Sequence, residues 1–158
     1  MTRRRRAFVA SRTQRGLMLI EALVAIAIFS FAILGIVGLQ ATAIRAVRDA
    51  DYRAKASLFA NQLVGRMWVD RYNVPTYALN ADVTSLCPAG SNSSANPAVN
   101  EWLDSLGSAD NPGALPGAAQ LRQKILVSAD NTVTLTLCWQ APQDAAPHNF
   151  TLTTQIQG

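Results

Sequence analysis

A single carboxylate, Glu21, lies within a long apolar segment of the sequence, residues 17–39. A charge inside a membrane helix costs several kcal/mol unless a cation pairs with it, so such a residue points to a function. The sequence has no Lys, Arg or His between Gly16 and Ile44. Cleavage after Gly16 would supply a cation, because the new amino group of Leu17 would lie one helical turn from Glu21. The chemistry suggested is an ion pair between Glu21 and an amino terminus, within one chain or between neighbouring chains.

Arginine is concentrated at the start of the chain. The first sixteen residues contain no acidic residue and six of the fourteen basic ones, which are Arg3, Arg4, Arg5, Arg6, Arg12 and Arg15. The rest of the chain has eight basic and ten acidic residues, so the arm carries +6, the rest carries −2, and the positive net charge of the chain comes from the arm. Its position directly before an apolar segment is typical of a membrane helix with a cytoplasmic N terminus, and the remaining residues do not indicate nucleic-acid binding.

Three interpretations of the apolar segment compete. A secretory signal peptide could be cut at residues 41–43, Ala-Thr-Ala, but its apolar core spans about 7–15 residues, and this segment is longer and contains a carboxylate. An ordinary anchor accounts for the length, since about 20 apolar residues cross a bilayer, but it gives Glu21 no purpose. Cleavage after Gly16 accounts for both features.

The stretch RGLMLIE, residues 15–21, followed by a full-length apolar helix, resembles the N-terminal signal of type IV pilins and type II secretion pseudopilins. The resemblance implies that residues 1–16 are a basic cytoplasmic leader, which a prepilin peptidase removes by cutting between Gly16 and Leu17. It implies that the same enzyme methylates the amine of Leu17. It also implies that Glu21 pairs with the amine of an adjacent subunit during assembly.

The helix is predicted to continue beyond the membrane. Residues 40–72 contain no proline and are rich in Ala, Arg, Leu and Gln, which favour helix. Five apolar residues recur there at helical spacing and form one face, namely Ala56, Phe59, Ala60, Leu63 and Met67. We expect residues 17–39 to be the membrane-spanning and assembly half of one helix, and residues 40–72 to be the half that packs on a head.

Residues 73–158 are predicted to form that head. Residues 88–119 are rich in Pro, Gly, Ser and Asn and predict a long loop, with a short helix near residues 101–106. Short runs of alternating or β-branched apolar residues predict three strands, near residues 124–128, 132–140 and 150–157. The expected fold class is α+β, a long N-terminal α-helix packed on a small antiparallel sheet, as in the type IV pilin-like fold.

The chain has two cysteines, Cys87 and Cys138. A head outside the cytoplasm can keep a disulfide between them, which would contribute about 4 kcal/mol in the chain-entropy account. The alternative is two free buried thiols. Two cysteines and one distant histidine, His148, form no ligand set, so neither a metal nor another cofactor is expected.

Four motifs narrow the resemblance to PilV-type minor pilins. They are QLVGRMW at residues 62–68, Trp102, LPG at 115–117 and CWQ at 138–140. This resemblance implies a minor pilin that is incorporated in or primes a type IV pilus, with roles in twitching, adhesion or DNA uptake. The implied partners are the prepilin peptidase and methyltransferase, other major and minor pilins, and the inner-membrane assembly platform. The implied location is the inner membrane with a periplasmic head, and then the pilus fibre at the cell surface.

The sequence does not suggest an enzyme. No nucleophile motif accompanies His148, and the sequence has no glycine-rich phosphate-binding loop. Two alternatives to a minor pilin stay open. One is a minor pseudopilin of a type II secretion system, which has the same N-terminal signal. The other is a membrane-anchored periplasmic binding module that does not polymerise. Glu21→Ala distinguishes the two classes, because it should weaken or abolish the assembly of a polymerising subunit and leave this module unaffected.

Overall fold

The computed structural model describes the backbone of residues 14–157 and the side chains of residues 16–157. Its helices are α1, Gln14–Val69, and α2, Pro97–Gly107, with shorter 3-10 helices at Arg71–Tyr77 and Ala118–Gln120. Its strands are β1, Lys124–Val127, β2, Thr132–Trp139, and β3, His148–Gln155. A long N-terminal apolar helix and a small antiparallel sheet confirm the expected α+β class.

Residue contacts divide the chain into two compact units, residues 1–47 and 48–158. In the first unit, every side chain from Gly16 to Val47 is exposed. An 18-residue window of α1 has a mean hydropathy of 2.7, and none of it is buried. By length and composition, α1 is therefore able to cross a membrane.

The second unit has one main core. The predicted stripe on α1 is confirmed, since Ala56, Phe59, Ala60, Leu63 and Met67 are all at most 6% exposed. These residues belong to one apolar cluster with α2 and the sheet. The later part of α1 is thus held by packing of one face, which supplies most of the stability of a helix in a folded domain.

The sheet is an antiparallel meander in the order β1-β2-β3. Val133, Leu135 and Leu137 alternate along β2 and are fully buried, as their spacing predicts. The opposite face carries Thr134 and Thr136, whose hydroxyls lie 3.3 and 3.4 Å from those of Thr153 and Thr151 on β3. One face of the sheet therefore contributes to the core and the other is rich in threonine.

Several element boundaries differ from the predicted ones. α1 ends at Val69 rather than near residue 72, and the 3-10 helix that follows includes Pro75, which cannot continue an α-helix. β3 begins at His148, where the predicted strand begins at residue 150, because the ladder with β2 extends to a pair between His148 and Trp139. β3 ends correspondingly earlier, at Gln155.

The predicted loop at residues 88–119 contains a well-formed helix. The side chain of Asn96 accepts a hydrogen bond of 2.9 Å from the Ala98 amide, and Pro97 lies at the first helical position. Both are features of a helix N terminus. α2 is therefore longer than the short helix expected near residues 101–106, and it buries Val99, Trp102 and Leu106.

Candidate functional site

The predicted processing and assembly residues lie at the beginning of α1. The bond between Gly16 and Leu17 falls in its first turn, and Glu21 follows four positions after Leu17, on the same side of the helix. Most of the predicted leader, residues 1–13, lies outside the described residues. If the chain were cut after Gly16, helical geometry would therefore place the amine of Leu17 close to the Glu21 carboxylate.

The surroundings of Glu21 are apolar and exposed. Leu17, Ile20 and Val24 are each more than half exposed, and so is Phe29 farther along the helix. Within residues 16–157, no Lys, Arg or His side chain forms an ion pair with Glu21. In a bilayer or a subunit interface, such a carboxylate acquires a strong preference for a cation from outside its own helix.

The two cysteines meet in the head. Cys87 and Cys138 form a disulfide with a Cα–Cα distance of 5.5 Å and a sequence separation of 51. Cys138 lies in β2, and Cys87 lies in an irregular segment after the Arg71–Tyr77 helix. The disulfide therefore ties an irregular segment to the central strand of the sheet.

Two polar side chains that sequence reasoning missed hold the chain around this disulfide. Gln123 is fully buried, and its Oε1 accepts from the Cys138 amide at 2.7 Å while its Nε2 donates to the Cys138 carbonyl at 3.1 Å. The side chain of Asn92 donates to the Leu121 carbonyl and accepts from the Gln123 amide, both at 2.8 Å. Isolated Asn and Gln residues show no periodic pattern, so nothing in the sequence identifies them as structural.

The aromatic and histidine residues in the head form packed pairs. Trp139 stacks on His148 with ring centroids 5.9 Å apart, and Nε2 of His148 lies 3.3 Å from a carboxylate oxygen of Asp144. Trp102 donates from its indole nitrogen to the Phe59 carbonyl at 2.9 Å, which fixes α2 against α1. His148 thus lies in β3, two positions before the predicted start of the last strand, and its ring contacts Trp139 and Asp144.

The head has shallow open clefts. One of about 400 Å³ lies between α1 and the 107–120 segment and is lined by Tyr52 and Lys55. Another of about 550 Å³ is lined by polar side chains of Asp70, Asn73 and Thr76. Burial and the neighbouring Asp70 raise the pKa of Tyr77, which donates to that carboxylate at 3.3 Å. Over the described part of the chain, no group of three or more His, Cys, Asp or Glu residues could hold a metal ion.

Comparison of the chain with protein-family models, with curated proteins and with solved structures finds no match. The inference of function therefore depends on the N-terminal residues and on the structure of the head.

Proposed function

We propose that the protein is a minor pilin, a subunit that is processed by a prepilin peptidase and enters or primes a type IV pilus. The observation that supports this best is the isolated carboxylate of Glu21, at the fifth position after Gly16 on the exposed apolar part of α1. A membrane anchor alone needs no such charge. A subunit that docks beside another processed subunit uses it to bind the neighbour's amino terminus.

In this proposal the two units have different tasks. The first part of α1 inserts in the inner membrane and later packs against the helices of other pilins. The head, which begins in the later part of α1, lies in the periplasm and then at the surface of the fibre. The disulfide between Cys87 and Cys138 suits that location, since disulfides persist outside the reducing cytoplasm. The head motifs favour a pilus over a type II secretion system.

The first experiment is the intact mass and N-terminal sequence of the protein isolated from membranes of its own host. The proposal requires a chain that begins at Leu17 and is heavier by one methyl group. A chain that begins beyond Ala43 would instead indicate secretion and release. A chain that retains its first sixteen residues would leave a membrane-anchored binding module as the better interpretation.

A second experiment tests the role of the carboxylate. Glu21→Ala should prevent incorporation into sheared fibres while the protein still accumulates in the membrane, because the amine of the neighbouring subunit loses its partner. Glu101→Ala is the matched control, since Glu101 is exposed in the head and forms a surface ion pair of 3.3 Å with Arg66. Equal incorporation of both variants would contradict the proposed assembly role.

A further inference from the structure

We draw no further inference here: the strongest candidate, the exposed surface patch of Trp68, Val69 and Tyr72 at the end of α1 and in the 3-10 helix that follows it, carries none, because nothing in the described part of the chain shows what covers it.

Discussion

At the scale of single residues, Gln123 constrains the head through a fully buried side-chain amide. Its hydrogen-bonding atoms have four partners, the carbonyls of Ala118 and Leu121 and both backbone groups of Cys138. A buried polar side chain is costly unless it is satisfied, and removing it leaves its partners unpaired. Gln123 therefore fixes the start of the sheet relative to the segment that precedes it.

Gln123→Met should lower the free energy of unfolding by about 2–4 kcal/mol, because the buried amide and carbonyl of Cys138 lose their hydrogen-bond partner. The carbonyls of Ala118 and Leu121 each keep one other hydrogen bond. Urea unfolding followed by tryptophan fluorescence would measure the loss, since Trp102 and Trp139 are both buried. Gln120→Met is the control, because Gln120 is exposed and its side chain forms no hydrogen bond to the described residues. A similar effect of both substitutions would contradict the assigned role of Gln123.

The ionisation of Asp130 makes the stability of the head depend on pH. Hydrogen bonds from the Thr132 hydroxyl at 2.8 Å and the Thr132 amide at 3.2 Å hold the pKa of Asp130 below its ordinary value. Because the folded-state pKa is lowered, the carboxylate stabilises the fold above its unfolded-state pKa, and this contribution disappears as the pH falls through the folded-state value. Thr132→Val should raise the pKa of Asp130 in an NMR titration. Thr134→Val, which alters the neighbouring threonine on the same face, should leave it unchanged.

At the scale of elements, the turn before the sheet depends on Gly117. Its φ is 67°, and a Cβ at this position would lie 2.6 Å from the Gln140 carbonyl oxygen. The Gln140 amide donates to the Pro116 carbonyl at 2.8 Å. This hydrogen bond holds the two segments together, so they cannot easily separate. The LPG motif at residues 115–117 thus has a structural role in this chain.

Gly117→Ala should destabilise the head by at least about 2 kcal/mol, through the left-handed backbone and the contact with Gln140. Gly65→Ala is an informative control because it should act in the opposite direction. Gly65 is exposed in α1, and a Cβ there would meet no atom within 4 Å. Alanine in a helix is favoured over glycine by about 0.5–1 kcal/mol. Thermal unfolding of the two variants and the parent would show shifts of opposite sign.

The elements that the sequence predicts are those with a periodic pattern. The stripe from Ala56 to Met67 and the alternation along β2 required no knowledge of the rest of the fold. The start of α2 was missed because Asn96 and Pro97 lie within a stretch rich in turn-forming residues. The start of β3 depends on its partner strand, since His148 extends the ladder only because Trp139 lies opposite. Tertiary pairing decides such boundaries, and a local pattern cannot show it.

The sequence also identifies some features of the candidate site and not others. Glu21 is recognisable because a carboxylate in an apolar helix is costly, and that argument needs only the sequence. The cysteines leave two interpretations open until the structure brings Cys87 and Cys138 together. The sequence does not show that β3 is an outer strand of the described sheet, because strand order depends on tertiary pairing.

At the scale of the whole molecule, the two units rely on different sources of stability. The exposed apolar side chains between Leu17 and Val47 have no core of their own, so that part of α1 needs lipid, detergent or other subunits. The residues that form the main core all lie from Ala56 onward. The disulfide and the Gln123 network also lie within the second unit. Membrane insertion and folding of the head should therefore be separable.

A fragment of residues 48–158 should accordingly remain soluble without detergent and unfold cooperatively. It retains every residue of the main core together with the Cys87–Cys138 disulfide, and it lacks the exposed apolar segment. Circular dichroism during heating would measure cooperativity, and intact mass before and after reduction would establish the disulfide. A fragment that begins at residue 61 is the matched control. It loses Ala56, Phe59 and Ala60 from the buried stripe, so it should unfold at a clearly lower temperature or fail to fold. If both fragments unfolded alike, the later part of α1 would not be the structural support of the head.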